Sequence, residues 1–569
     1  MKIIFNSILK EFFKNFNKNF EKKEDFFNEN QTEKRAIKKK GSVFLLSLII
    51  TLILSAIVFY IFLPVINPVS QSFYAFFAFI TFSFYAISES LEKAKNVTDN
   101  ISKKIRKTLT VLFVISICSY GVLFAFSSPF FHAKKYSNLI DRQEGIFKDD
   151  VKPINFNQIP VVDKATAERL GSRKLGEIGG DLVSQYDIDP TYPQINIKGK
   201  PFRVTPITYS GFIKWFVNQN KGLSYYVSVD MASQDTSLVK LEKPIFYSFS
   251  DKLNRNIKRH IRLKRPTYII GEINFEIDDE GHPFWVASVL KPTIGIVGGM
   301  DVSKVLVINA NSGELEEYDK NEVPSWVDRV YPAEMIEKQL IYNGTFKNGF
   351  LNRYIKQTGV TKPTKGYNYL SIGEDIYFYT GITSVLSDKS NIGFVLVNMR
   401  TKETKFYPVS SAEEFSVMES AEGSVQEKKY KSTFPILINI NNRPTYFMSL
   451  KDEAELTKLF ALIDAQKYQS VAVGSDINEV VKNYNKLNSE LIDTNAQNNN
   501  SISLTIKEIK PINIEGNTIF YFTSKEDSLI YIAPVNVSKE LIFSKENDKI
   551  KITGYKNEDG TFNVTSVKK

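Results

Sequence analysis

The sequence predicts three N-terminal transmembrane α-helices followed by an α+β ectodomain with antiparallel sheets and a C-terminal small β-barrel. Three long uncharged apolar runs follow one another between residues 43 and 128, and short strand-like segments separated by Gly, Pro and Asn recur through most of the remaining chain. At 569 residues the chain is also long for a single hydrophobic core. We therefore expect a membrane anchor that carries several compact units.

The membrane anchor is predicted from the three uncharged runs at residues 43–66, 70–88 and 109–128. At about 1.5 Å per residue in a helix, each run is long enough to cross a hydrocarbon core of about 30 Å. A buried core helix is the alternative for each run, but three uncharged runs of this length in succession are unusual in a soluble fold. The lipid bilayer is thus the first predicted partner.

The distribution of positive charge predicts how the anchor is oriented. Residues 1–41 contain 11 Lys or Arg against 6 Asp or Glu, and residues 89–108 contain 6 against 3. Lys-rich flanks stay in the cytoplasm, so an odd number of spans places the N-terminus inside and the bulk of the chain after residue 128 outside the cytoplasm. Because these two flanks supply most of the formal net charge of +10, that charge does not indicate nucleic-acid binding. We predict no nucleic-acid partner.

The first 20 residues have the spacing of an amphipathic helix. Apolar residues recur three and four positions apart, with lysines between them, at Phe5, Ile8, Leu9, Phe12, Phe16 and Phe20. Our interpretation is a cytoplasmic helix that lies on anionic lipid beside the first span. A helix packed against the anchor and a solvated tail are the alternatives.

Beyond the anchor, changes in composition divide the chain into further regions. A polar tether is predicted at residues 129–161, and an α+β domain at residues 162–264. A second α+β region follows at residues 265–490 and ends in an Asn-rich linker at residues 491–501. Five short strand-like segments within residues 502–569 predict a small β-barrel of the OB or SH3 kind.

Local periodicity and turn residues predict individual elements of these regions. The predicted helices cover residues 165–178, 411–422 and 453–463. The predicted strands include residues 194–197, 202–207, 436–440 and 445–448.

Two β-hairpins are predicted in the central region. Residues 272–290 alternate in polarity around a turn at residues 278–281, and residues 305–318 form a strand, a turn and a strand. The stretches IDDEGHPFW and VLVINANSGELEEY resemble the strand pattern of PepSY-type domains, whose hairpins end in a similar turn. The resemblance covers roughly residues 265–320. It implies a small extracytoplasmic module, often linked to inhibition or regulation of envelope enzymes, and it identifies no catalytic residue.

A second copy of this pattern is predicted 89 residues further on, near residues 390–450. The segment FVLVNMRTKETKFY aligns with VLVINANSGELEEY, so that Asn309 and Glu314 correspond to Asn398 and Glu403. A duplicated sheet unit and a chance similarity between two hairpins both remain open.

The cysteine and histidine content predicts neither a metal site nor a cofactor. The single cysteine, Cys118, lies in an apolar run, and the histidines His132, His260 and His282 are far apart in sequence. The chain also lacks a Walker A loop, a GxSxG elbow and a GxGxxG motif that opens a helix. The glycine-rich residues 295–299 are predicted to form a turn between strands.

Two sets of residues are candidates for function. Aromatic side chains bury a large area with little loss of rotamer freedom, which predicts a ligand or partner surface at Trp285, Trp326, Arg329, Tyr367 and Tyr369. Core packing explains these aromatic residues equally well. Glu419 and Glu422 lie three residues apart on a predicted helix and are the alternative catalytic pair, while a solvated helix face is the simpler interpretation.

Together, these features predict a non-enzymatic, membrane-anchored protein of a bacterial cell envelope. Its extracytoplasmic domain is expected to bind or regulate a partner protein or cell-wall material. An envelope hydrolase that acts on wall glycan through paired carboxylates is the alternative. Transport has little support, because the three uncharged runs contain no ionisable Asp, Glu, Lys, Arg or His.

Overall fold

A computed structural model of the chain describes residues 32–151, 159–178, 183–385, 387–492, 500–514, 517–535, 539–556 and 561–568. The predicted amphipathic helix at the N-terminus and most of the predicted linker lie outside the described residues. The chain divides into two compact units. The first comprises Met1–Lys458 with Asp464–Gln469, and the second comprises Leu459–Ile463 with Ser470–Lys569.

Three helices among the described residues are long and apolar enough to cross a membrane, as the sequence predicts. They are α1 (Thr32–Phe62), α2 (Gln71–Lys95) and α3 (Asn100–Phe126). The part of α1 that qualifies as a span is Val43–Phe62. Membrane integration therefore rests on both sequence and structure.

The helix ends differ from the limits of the uncharged runs. Helix α1 ends at Phe62 because Pro64 disfavours a helical conformation in the preceding residue. Helices α2 and α3 extend into the charged segment between them. There Arg106 lies 2.9 Å from the carboxylate of Glu92, which ties the two helices together beyond their apolar parts.

The segment after α3 is part of the folded region and not the free tether that its polar composition predicts. It forms α4 (Pro129–Ser137), β1 (Arg142–Glu144) and α5 (Phe147–Asp150). Tyr136 and Ile140 are buried. Isolated apolar residues in a polar segment give no periodic pattern, so their burial was not visible in the sequence.

The first unit continues with alternating helices and sheets. Its helices are α6 (Lys164–Ile178), α7 (Phe212–Asn218), α8 (Ile257–Lys264), α9 (Ala333–Phe346) and α10 (Glu414–Ser424). A first antiparallel sheet contains β2 (Tyr186–Ile188), β3 (Gln194–Ile197), β4 (Lys200–Tyr209), β5 (Leu223–Asp230) and β6 (Thr236–Ile245). These bounds confirm the helix predicted at residues 165–178 and the two strands predicted after it.

A four-stranded antiparallel sheet lies at the centre of the first unit. Its strands are β7 (Ile269–Ile277), β8 (Pro283–Ile294), β9 (Gly298–Asn309) and β10 (Leu315–Asp319), in the order β10-β9-β8-β7. Both predicted hairpins and the predicted glycine-rich turn are therefore confirmed. One face of the sheet packs against the first sheet through residues such as Trp285 and Leu306, and the other face packs on α9 through Val286 and Val305. Both faces are buried, which explains the nearly continuous apolar runs within β8 and β9, whereas β7 alternates in polarity.

A seven-stranded sheet packs on the hydrophobic core that α9 shares with the central sheet. Its strands are β1, β11 (Thr361–Pro363), β12 (Asn368–Ile372), β13 (Asp375–Ser384), β14 (Ser387–Asn398), β15 (Thr404–Tyr407) and β16 (Ser411–Ala412). Strand β1 pairs in parallel with β15. The helix predicted at residues 411–422 begins three residues later, because residues 411 and 412 pair with β14.

The turns of the two similar hairpins have the same hydrogen bonds. The side-chain oxygens of Asn309 and Asn398 each accept hydrogen bonds from the backbone N–H groups two and three residues further on, at 2.9 to 3.0 Å. Gly313 and Lys402 occupy equivalent positions with positive φ values of 72° and 66°. The local match is clear, and the duplication of the whole unit stays a prediction.

Three further strands follow in the first unit. They are β17 (Lys431–Ser432), β18 (Ile436–Ile440) and β19 (Arg443–Lys451). Strands β18 and β19 pair as an antiparallel hairpin, which confirms the prediction for residues 436–448.

The helix predicted at residues 453–463 is wrong. Residues Thr457–Asp464 form strand β20, which pairs with β21 (Val471–Gly474), and α11 (Ile477–Ile492) follows. The Ala, Glu, Leu and Lys content of this segment favours a helix in isolation. Four successive buried residues, from Phe460 to Ile463, are instead accommodated in a strand. Tertiary burial therefore outweighs helix propensity here.

The five strands predicted near the C-terminus are confirmed. They are β22 (Asn500–Ile514), β23 (Asn517–Ser524), β24 (Ile530–Pro534), β25 (Lys549–Lys556) and β26 (Thr561–Lys568). Strand β22 pairs with β23 and β25, β23 pairs with β24, and β26 pairs with both β24 and β25. Leu504, Phe522 and Tyr531 belong to the buried core of these strands.

Candidate ligand site

A cavity of about 500 Å³ lies where the first sheet, the central sheet and the seven-stranded sheet meet. Its lining includes Gln194 from β3, Arg203 from β4, Glu272 from β7, Tyr369 from β12 and Arg329 from the loop after β10. We call it the arginine cavity. Its volume falls within the range of about 300–1,000 Å³ that is usual for ligand pockets.

Arg329 is the central cation of this cavity. Only 5% of its surface is exposed, and its Nη2 donates a hydrogen bond of 2.8 Å to the hydroxyl of Tyr369, over whose ring the guanidinium lies at 4.3 Å. The Glu272 carboxylate lies 3.6 Å from Nη2. Burial lowers the pKa of Arg329, but Tyr369 and Glu272 raise it more, so its pKa lies above the usual value. The side chain is therefore a stable buried cation.

Several buried polar atoms at the arginine cavity have no hydrogen-bond partner among the described residues. They are Nε and Nη1 of Arg329, the hydroxyl of Tyr192 and Oε1 of Gln194. Buried polar groups are nearly always paired in folded proteins, with protein, water or a ligand. Nε and Nη1 of Arg329, both without a partner, suit an acidic oxygen-bearing group, which reaches them once the side chains that cover these two buried atoms move.

Arg203 provides a second buried cation. Its Nε donates to the carbonyl of Val162 at 3.2 Å and its Nη1 donates to that of Tyr192 at 2.7 Å. Burial lowers the pKa of Arg203 to about 10, because low polarity disfavours the charged form. An anion bound in the cavity would offset that cost.

Two buried carboxyls position the loop that carries Arg329. Glu276 on β7 accepts hydrogen bonds from the backbone N–H groups of Asp328 at 2.9 Å and Arg329 at 3.2 Å. Asp328 in turn accepts a hydrogen bond from the backbone N–H of Asn196. Burial raises the pKa of Glu276, and burial together with the neighbouring Glu276 raises that of Asp328. Both carboxyls are buried. Their hydrogen bonds fix the backbone at Asp328 and Arg329 and so position the arginine side chain.

The structure brings together three of the five residues predicted to form a ligand surface. Arg329, Tyr367 and Tyr369 all line the arginine cavity, and the rings of Tyr367 and Tyr369 lie 5.6 Å apart. Burial and the neighbouring Tyr369 raise the pKa of Tyr367, which keeps its hydroxyl neutral. The cavity therefore combines a cation with the neutral hydroxyl of Tyr367.

The two tryptophans do not belong to this group. Trp285 is completely buried between the first and central sheets, where its Nε1 donates a hydrogen bond to the carbonyl of Tyr247 at 2.7 Å. It is a core residue, so its prediction as a surface residue is corrected. Trp326 is half-buried and packs on Phe284, with ring centroids 4.8 Å apart.

The two carboxylates of the alternative catalytic pair have different surroundings. Glu419 is exposed on α10. Glu422 accepts hydrogen bonds from Lys431 at 2.8 Å and from the backbone N–H and hydroxyl of Ser432, both at 3.0 Å. Burial raises the pKa of Glu422, but the hydrogen bonds from Lys431 and Ser432 lower it by a larger amount. The pKa therefore lies below its usual value. A general acid requires a raised pKa, which Glu422 lacks.

One acidic turn has the composition of a metal site. Ligand atoms of Asp278, Glu280 and His282 lie within 4.8 Å of one another in the β7–β8 turn. The carboxylate of Asp278 already accepts hydrogen bonds from the backbone N–H groups of Glu280 and His282, and it contacts the His282 ring at 2.9 Å. These bonds account for the arrangement as a stabilised turn.

Sequence reasoning missed Arg203 and Glu272 as members of the site. Each lies in a strand that otherwise contains mainly apolar residues, at PFRVTPI and IIGEINF. A charged residue within an otherwise apolar strand was the available signal, because such a residue favours a charged or polar partner. The pattern alone does not reveal that these two strands meet at Arg329.

Comparison with models of known protein families found no match, and comparison with curated proteins found no match either.

Proposed function

We propose that the chain is a non-enzymatic, membrane-anchored binding protein of the cell envelope. Its arginine cavity binds an acidic group of an envelope component, either a partner protein or cell-wall material. The observation that carries the proposal is the pair of unpaired N–H groups on buried Arg329, in a cavity also lined by Arg203. A buried cation with free donors favours a carboxylate or phosphate because charge-assisted hydrogen bonds are the strongest ones available to it.

Inorganic phosphate is a suitable first probe for this acidic group. We expect phosphate to raise the thermal unfolding midpoint of the full chain in detergent, at constant ionic strength. Arg329→Lys should weaken the apparent phosphate affinity by about tenfold, because lysine keeps the charge but loses the forked donor geometry. Thermal unfolding measured over a phosphate titration gives both quantities.

The matched control is Arg353→Lys, since Arg353 is exposed outside the arginine cavity. This variant should keep the wild-type response to phosphate. An equal response in Arg329→Lys and wild type would contradict the proposal, and so would turnover of a wall polymer by the purified full chain.

The proposed orientation places α10 and all the sheets outside the cytoplasm, with the α2–α3 connection inside. It is supported by the lysines and arginine that cluster around that connection, including Lys93. In a Cys118→Ser background, we expect Ser312→Cys in the exposed β9–β10 turn to react with a membrane-impermeant maleimide on intact cells. Lys93→Cys should react only after permeabilisation. The opposite pattern would reverse the topology.

The PepSY-like hairpins and the C-terminal strands fit the same proposal. We infer that residues 500–568 form a small barrel of the OB or SH3 kind, because each of its five strands pairs with two others. A closed barrel offers a rigid surface, which agrees with a protein that binds a partner in the envelope.

A further inference from the structure

A second and larger cavity lies beside the end of the third membrane helix. It has a volume of about 830 Å³, and its lining includes Phe124 of α3, Leu290 of β8, and Met335 and Tyr342 of α9. We call it the junction cavity. Its apolar side chains suit a hydrocarbon group, because apolar surface is stabilised when it leaves water.

The junction cavity is fixed to the end of α3 by close contacts. The hydroxyl of Ser127, directly after α3, accepts a hydrogen bond from the backbone N–H of Ile296 at 3.1 Å, and Tyr136 donates to the carbonyl of Ser127 at 2.7 Å. A Cβ atom on Gly298 would lie 2.3 Å from the Tyr136 hydroxyl, so glycine permits this approach. The cavity is thus held at the level where the chain leaves the membrane helix.

Exposed apolar side chains lie near the end of α3, where the junction cavity is also found. Phe126 and Phe131, at the end of α3 and in α4, are more than half exposed and stack with ring centroids 5.2 Å apart. Near the end of α1, the Tyr60 hydroxyl bonds Asn254 at 3.0 Å and the Arg259 Nε bonds the Tyr60 carbonyl at 2.9 Å. Aromatic side chains at this depth are typical of a bilayer interface. The junction cavity therefore lies next to lipid.

The two cavities meet along β7. Glu272 and Tyr367 line both of them, and Gly271 on the same strand lines the junction cavity. A molecule that occupied both cavities would place its apolar part beside α3 and its polar part beside Arg329. An acidic lipid has this division of chemistry, with an alkyl chain and a phosphate joined by a short linker.

We propose that the acidic component bound by this chain is an anionic lipid from the bilayer that anchors it, with a hydrocarbon chain in the junction cavity and its phosphate in the arginine cavity. The inference rests on the proposed binding of an acidic group at Arg329, and it assigns that group to a membrane lipid in place of the partner protein or cell-wall material named above. Charge complementarity at Arg329 selects the acidic headgroup, and the junction cavity selects a ligand with an alkyl chain.

Native mass spectrometry of the full chain provides the test. The protein is incubated in micelles with equimolar dioleoyl phosphatidic acid and dioleoyl phosphatidylcholine, and the lipid-bound fractions are compared. We expect the chain to prefer phosphatidic acid over phosphatidylcholine by at least about tenfold. The phosphate of phosphatidic acid is exposed, whereas the phosphate of phosphatidylcholine carries a cationic group. Excess inorganic phosphate should lower its occupancy, because both compete for Arg329.

Two variants test the junction cavity independently of the arginine cavity. Met335→Trp fills the junction cavity and Leu290→Asn makes it polar, so each should lower phosphatidic acid occupancy by about fivefold or more. Both should keep the wild-type thermal stabilisation by inorganic phosphate. Arg329→Lys should weaken binding of the lipid and of phosphate alike.

Other results would contradict either this inference or the proposed function. Equal occupancy by the two lipids would overturn the inference, as would unchanged lipid binding in both cavity variants. Loss of phosphate stabilisation in both cavity variants would also overturn it, because the two compartments would then not be separate. Absence of phosphate stabilisation in the wild type would contradict the proposed function itself, and binding of phosphate without the lipid would contradict only the present inference.

Discussion

Trp285→Ala is expected to lower the free energy of unfolding by about 3–5 kcal/mol, the usual range for removing a fully buried large aromatic side chain. The ring is 0% exposed and packs against Phe249 and Phe275 at centroid distances of 4.8 and 5.2 Å. Its loss would leave a cavity between the two sheets and an unpaired carbonyl on Tyr247. Circular dichroism of the full chain during thermal unfolding measures the change.

Two further variants test the reason for this loss. Trp285→Phe keeps most of the buried area but lacks the N–H donor, so it should cost about 1–3 kcal/mol. Trp326→Ala should cost less than Trp285→Ala, because Trp326 is only half-buried. If Trp285→Ala retained wild-type stability, the residue would not be a core element and the sheet packing would need revision.

The second large effect is a fall in stability as the pH rises above about 4, the ordinary pKa of a carboxyl group. The folded state raises the pKa values of Glu276 and Asp328 through burial, and their mutual proximity adds to this for Asp328. Between the ordinary and the raised values the folded state holds more protons than the unfolded state, so unfolding becomes easier with increasing pH. The stabilisation is complete at low pH and is lost as the folded pair ionises.

Asp328→Asn isolates this contribution. It removes one carboxyl and keeps an oxygen to accept the backbone N–H of Asn196. Between pH 5 and 8 we expect the wild type to lose more stability than this variant, because the variant lacks one of the two carboxyls whose pKa is raised in the folded state. Chemical unfolding followed by tryptophan fluorescence in detergent measures the difference.

Glu322→Gln is the matched control, because Glu322 is an exposed carboxylate. It should follow the wild-type pH profile. A profile of Asp328→Asn that is parallel to the wild type would show that the buried pair does not hold an extra proton.

Elements with a strong local pattern could be predicted from the sequence alone. The uncharged runs at residues 43–66, 70–88 and 109–128 have one physical solution at their length, an apolar helix. The hairpin at residues 272–290 follows from period-two alternation around a turn whose Gly281 has a φ of 93°. The five C-terminal strands follow from the same alternation.

Other elements could not be predicted because their local sequence favours a different structure. The segment 457–464 has good helix formers, but its burial and its pairing within a sheet make it a strand. The segment 129–151 has the composition of a linker, yet Ile140 is completely buried. In both cases a tertiary contact decides the conformation.

The candidate site shows the same division. Arg329, Tyr367 and Tyr369 were proposed from residue type, since aromatic and arginine side chains favour binding surfaces. Trp285 has the same residue-type argument and is nevertheless core, because β8 is buried on both faces. Residue type alone does not distinguish the two cases.

The sequence by itself determined that this protein has three apolar helices able to span a membrane and a β-rich region with specific hairpins, because helix length and strand alternation are local properties. Only the tertiary structure decided which charges lie together. Arg203, Glu272 and Arg329 are separated by 57 to 126 positions in the sequence, and each acquires its role from the packing of three sheets around one cavity. That packing leaves the Arg329 donors unpaired, and from this follows the proposal of an acidic ligand.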